Sequence, residues 1–144
     1  MKILSWLSGH QPISVNAIAM ARMVVGVYFI LHGHELFDPK AMQEFADWLK
    51  KDLGFPAPLL MAYLRTGAEF FGGIFLVLGL FTRLGAALIG ITMLVATFTA
   101  GKGDVFGKAE MTVVYTVLSA TIFLVGAGKF SLDHLLFSPK DHQS

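Results

Sequence analysis

The sequence predicts an all-α protein: a transmembrane four-helix bundle with a short amphipathic interfacial helix between spans 1 and 2. Three observations carry that expectation. Of 144 residues, 55% are apolar and 15% charged, and the mean hydropathy is +0.65, too apolar for an ordinary soluble domain. Four stretches, 13–36, 58–81, 84–100 and 109–127, approach the roughly 20 apolar residues that a membrane-crossing helix needs. Only Thr82 and Arg83 separate the second from the third, so those two helices are expected to be antiparallel neighbours. One domain, 1–144, accounts for the whole chain.

The first residues, Lys2 to Leu7 with Trp6, form too short an apolar run for a cleavable signal, because Gly9, His10, Gln11 and Pro12 interrupt it. They read as an interfacial turn with Trp6 at headgroup depth. The first span follows. After it, Asp38-Pro39 supplies an N-cap and a proline at the first helical position, and Gly54 with Pro56 supplies the stop. Met42, Phe45, Trp48, Leu49 and Leu53 recur at helical spacing between these signals, while Lys40, Glu44, Asp47, Lys50 and Lys51 fill the rest of the wheel. That is a helix lying on the membrane surface, or else a lid over a cavity. The third and fourth spans are near the lower length limit. Beyond them, Ser131 caps a second short helix that runs to Phe137 and packs under the bundle. Four spans place both ends of the bundle on one side, with Lys2, Arg83, Lys129 and Lys140 against Lys40, Lys50, Lys51, Lys102 and Lys108 on the other. The near tie leaves the orientation open.

Charges within spans are costly and are expected to face inward and find partners. Arg22 lies near the middle of the first span, Glu69 near the middle of the second with Arg65 one turn before it, and Glu110 starts the fourth. With midpoints aligned, Arg22 is expected to pair with Glu69, and Arg65 to share that carboxylate from four residues away. Gly26 and Gly33 on the first helix, and Gly72 and Gly73 on the second, let the two backbones approach closely. Gly85 and Gly90 on the third span offer an oligomer surface. His32, His34, Tyr63, Glu110 and Tyr115 fall at one end of the bundle, suggesting a polar pocket that narrows to Arg22 and Glu69 under the amphipathic helix. The pair reads either as a ligand or proton site or as a purely structural bridge.

Several classes are excluded. A formal charge of +1 with no basic run lacks the footprint of a nucleic-acid binder. With no cysteine, thiol chemistry, disulfides and cluster ligation are absent. Neither a metal nor a haem is expected, since His10, His134 and His142 fall toward the end opposite His32 and His34.

Arg22-x-x-x-Gly26 leading into His32-Gly33, then Glu69-x-x-Gly72-Gly73, Leu78-Gly79-Leu80-x-Thr82-Arg83, Gly126-x-Gly128 and Ser131-Leu132-Asp133 stand in an order and spacing that resembles the DoxX family of small bacterial and archaeal membrane proteins. The resemblance extends over nearly the whole chain. Where that family often carries a lysine after the first span's glycine, this chain reads His34-Glu35-Leu36. The resemblance implies a four-helix, multi-pass protein of the cytoplasmic membrane, a subunit or accessory of membrane oxidoreductase systems rather than an independent catalyst. On that reading it binds a quinone or similar lipophilic ligand near Arg22, Glu69 and His32 and works with a redox protein partner. The alternatives are a noncatalytic scaffold that recruits a peripheral protein through residues 38–53 and the Lys102–Lys108 loop, and a small solute transporter that acts as a homo-oligomer.

Overall fold

Proline and glycine set the helix boundaries. The computed structural model describes residues 15–137, and these contain helices and no strands. The readings placed on Lys2, Trp6, His10, Lys140 and His142 lie outside the described residues. Helix α1 spans Val15–Gly33 and passes into a 3₁₀ turn, His34–Phe37. Helix α2 spans Pro39–Leu53, α3 Pro58–Leu78, α4 Thr82–Phe98, α5 Glu110–Val125 and α6 Leu132–Phe137. Asp38 caps α2 as expected, its Oδ1 accepting from the Lys40 amide at 2.9 Å, and Gly54 ends the helix with a left-handed φ of 67°. Ser131 caps α6 through its Oγ, which accepts from His134 N at 3.1 Å.

The turn after α3 differs from expectation. It consists of Gly79, Leu80 and Phe81, while Thr82 and Arg83 belong to the first turn of α4. Gly79 takes φ 64°, and Phe81 holds a left-handed φ of 48° that a bulky side chain seldom adopts. Asp133 supports that strained position from far along the chain: Oδ1 accepts from Phe81 N at 2.7 Å and Oδ2 from Thr82 N at 2.9 Å. A carboxylate from α6 thus caps α4, which has no capping side chain of its own.

Helix α3 is central and packs on α1, α2 and α4, while α5 packs on α4. Val25 and Phe29, Leu76, Ala86 and Ile89, and Ile122 bring all four long helices to one apolar core. Met42, Ala46 and Leu49 of α2 form a second core against Ala62. A Cβ on Gly26 would lie 2.7 Å from the Gly73 carbonyl oxygen, and one on Gly73 would lie 2.7 Å from that of Gly26. These are backbone contacts that only glycine permits. Gly72 and Gly85 meet in the same way between α3 and α4, and Gly90 faces Ser119 of α5. Gly85 therefore serves the packing of α4 on α3 within the chain.

The segment Ala17–Phe37 and helix α3 are each 21 residues long and apolar enough to cross a membrane; α4 and α5, at 17 and 16 residues, are shorter. Only 33% of each longer segment is buried, whereas the core helix of a soluble protein is mostly covered. The remaining faces carry exposed Val24, Leu31, Leu64, Ile91 and Leu124.

Candidate functional site

The two buried charges lie apart, Glu69 near the middle of α3 and Arg22 beside its C-terminal end. Arg22 and Glu69 are both 1% exposed, and they do not pair. The close approaches of Gly26 to Gly73 and of Gly33 to Phe70 set the α1–α3 register, and that register lays Arg22 beside Gly79. Ten positions separate Gly79 from Glu69, roughly 15 Å along a helix. Aligning the span midpoints misplaces the partner by that distance, so the expected pocket tapering to both residues does not form.

Glu69 pairs instead with Arg65 alone, Nε to Oε1 at 2.8 Å. The spacing of four residues on α3 places both on one face. The charges attract at that distance, but the N–H is not aimed at the oxygen, and Oε1 accepts no aligned hydrogen bond among the described residues. Arg65 is partly open, and its guanidinium carbon stands 4.9 Å from the centre of the Phe45 ring. Phe45 in turn stacks on Trp48 at 5.7 Å. A cavity of about 330 Å³ lies here, walled by Phe45 and Trp48 of α2, Met61 and Arg65 of α3, Thr92 of α4 and Thr112 of α5. Helix α2 therefore both packs on α3 and covers a cavity.

The other expected site residues scatter. His32 lies tilted against Tyr28 at 4.5 Å, and Tyr28 stacks on Tyr115 at 5.4 Å, forming an aromatic group between α1 and α5 that does not wall the cavity. Tyr63 and Glu110 are exposed. His34 is exposed too and turns back on its own helix, its Nδ1 2.6 Å from the Leu31 carbonyl oxygen. Of Arg22, Arg65, Glu69 and Glu110, only Arg65 and Glu69 form an ion pair among the described residues.

At the C-terminal end of α3, Arg22 donates from Nη1 to the Leu76 carbonyl and from Nη2 to the Phe130 carbonyl, each at 2.7 Å. The planar guanidinium thereby ties α1 to α3 and to the turn before α6. Asp133 is close enough to act on Arg22 electrostatically while its oxygens hold the α4 amides. A second, open cavity of about 930 Å³ lies beside this junction, with Arg83, Lys129, His134 and Asp133 on its wall. Residue-by-residue reading did not single out this basic cluster as a site. The signal was nonetheless present, since the 82–83 and 126–133 segments follow spans that end on the same side.

A helical protein with two helices of membrane-crossing length and charges enclosed between helices falls in the class of membrane-associated helical proteins. More specifically, the chain belongs to the DoxX family, whose pattern it matches over residues 17–102. An uncharacterized protein of Haemophilus influenzae is 34% identical over 128 residues, covering 83% of this chain and 90% of that protein. A Bacillus subtilis protein named "Putative oxidoreductase CatD" is 28% identical over 122 residues, covering 84% of this chain and 87% of that protein. No solved structure matches the chain.

Proposed function

We propose that the chain crosses the bilayer four times, as a multi-pass protein of the cell membrane, and is a membrane subunit of an oxidoreductase system that holds a quinone-type ligand beneath α2. The observation that carries this reading is the roughly 330 Å³ cavity whose apolar, aromatic wall is interrupted by Arg65, with buried Glu69 directly behind it. That volume is within the range of small-molecule sites, and a flat ring with two carbonyls suits a mostly apolar slot in which Arg65 is the charged donor among the described residues. Phe45 and Trp48 offer faces for a ring to stack on. Arg65 donates to a ligand oxygen, and Glu69, buried behind it, keeps the guanidinium in place. A bound quinone supplies the electron chemistry together with a partner protein; the chain's own residues position it and exclude water. The likeness to a protein named as an oxidoreductase agrees with this role. The short helices α4 and α5 span by local thinning of the bilayer.

Mass spectrometry of lipophilic molecules extracted from the purified protein tests the reading. A quinone is expected at near-stoichiometric amount in the wild type and depleted in Glu69→Gln, which preserves shape and removes charge. Bulk lipid alone in both samples would favour the scaffold reading instead. That alternative draws on the loop after α4, where Phe106 is 97% exposed between Lys102 and Lys108.

A further inference from the structure

The junction at Arg22 carries an excess of positive charge. Among the described residues, Arg83 and Lys129 share the cavity wall with a single carboxylate, Asp133, which also acts on buried Arg22, and both oxygens of that carboxylate already accept backbone amides. Arg83 also stands in the first turn of α4, at the positive end of the helix dipole, where Asp133 is already engaged as the cap. Its guanidinium lies along the backbone at Gly126, where a Cβ would sit 3.9 Å from Nε and Nη2, so the α5 turn and the α4 start meet around this charge. The arginine has no carboxylate in ion-pair contact among the described residues. Beside it opens the cavity of about 930 Å³, and Ile18, Leu84 and Val125 give that cavity an apolar wall continuous with the helix faces. A cationic rim above an apolar wall matches the two halves of a phospholipid.

We propose that this cavity binds the headgroup phosphate of an anionic phospholipid, with Arg83 and Lys129 as its cationic contacts and Ile18, Leu84 and Val125 receiving the first part of an acyl chain. The inference rests on the membrane-spanning reading and is independent of the quinone assignment. Arg83 and Lys129 stand at the ends of two spans, at the depth where lipid phosphates lie, and juxtamembrane cations draw anionic lipid there. The planar guanidinium takes phosphate oxygens in pairs, while Lys129 acts as a point charge.

The test measures which lipids stay on the purified protein after exchange into detergent from vesicles of mixed phosphatidylglycerol and phosphatidylcholine. Wild type is expected to retain phosphatidylglycerol preferentially, and the preference is expected to fall about fivefold for each cation removed in Arg83→Gln and Lys129→Gln. Lys50→Gln with Lys51→Gln, which removes two cations from α2, is expected to leave it unchanged. If the double variant at the junction fails to fold by helical circular dichroism, Leu84→Trp, which fills the apolar wall and keeps both cations, is expected to reduce retention instead. No preference in the wild type, a preference that survives loss of both cations, or equal loss with the α2 lysines each overturns the proposal. Tight binding of inorganic phosphate without retained lipid overturns it in favour of a soluble anion. Resistance of the wild type to alkaline carbonate extraction reads membrane insertion separately, and Glu69→Gln reads the quinone site separately.

Discussion

Arg22 and Glu69 are equally buried, but their surroundings give them different tasks. Arg22 donates to two carbonyl oxygens at 2.7 Å, so it fastens three segments of chain. Glu69 holds a half-open arginine at a cavity wall, an arrangement better suited to adjusting a ligand contact than to fastening a fold. Unfolding measurements in detergent on a double-mutant cycle separate the two. Arg22→Met is expected to cost about 2 kcal/mol or more, because two carbonyls lose their charged donor. Combined with Glu69→Gln, its effect is expected to be additive within about 0.5 kcal/mol, as for sites that share no partner. Arg65→Met with Glu69→Gln is expected to depart from additivity by about 1 kcal/mol. Coupling between Arg22 and Glu69 as large as that between Arg65 and Glu69 would contradict the register described above.

At the scale of helices, the backbone contacts of glycine decide how α1, α3 and α4 fit. Gly26 and Gly73 leave no space for a methyl group, since each would strike the other's carbonyl oxygen at 2.7 Å. Gly67, also on α3, would bring a Cβ no nearer than 3.9 Å to Leu36 Cδ1. Gly26→Ala is therefore expected to destabilise by about 1–3 kcal/mol through forced separation of the helices. Gly67→Ala is expected to be neutral or to stabilise by up to about 1 kcal/mol through better helix propensity. Thermal unfolding of both variants in one detergent makes the comparison. Where α2 begins and ends, and the start of α6, were legible before any coordinates, because Asp38-Pro39, Gly54 and Ser131 act on their own neighbours. The close approach of Gly26 was legible as well. The α1–α3 register was not, because glycine spacing identifies which face is thin without stating which glycine on one helix meets which on the other. Gly33 meets Phe70, not a glycine, and that contact helps move Arg22 to the C-terminal end of α3.

For the molecule as a whole, the helical class and the long apolar segments follow from composition and run length, while the grouping of polar residues depends on three-dimensional register and was only half legible. Arg65, Glu69 and the covering role of α2 emerge together; His32, Tyr115, Tyr63 and Glu110 share an end of the molecule without sharing a cavity. On the four-span reading proposed above, the loops at Lys102 and Lys129 lie on opposite faces of the membrane. Because the chain has no cysteine, single Lys102→Cys and Lys129→Cys variants report this directly. An impermeant maleimide applied to sealed vesicles is expected to label one and spare the other, and labelling of both from outside would refute the four-span reading. The bonds that complete the Arg22 and α4 junctions have a further consequence, in time rather than in space. Phe130 lies 108 residues after Arg22, and Asp133 lies 52 after the Phe81 amide it accepts from. Both residues are made after α1, α3 and α4. A chain interrupted before residue 130 therefore lacks the Phe130 carbonyl that Arg22 holds and the carboxylate that caps α4, and keeps those polar groups without these partners.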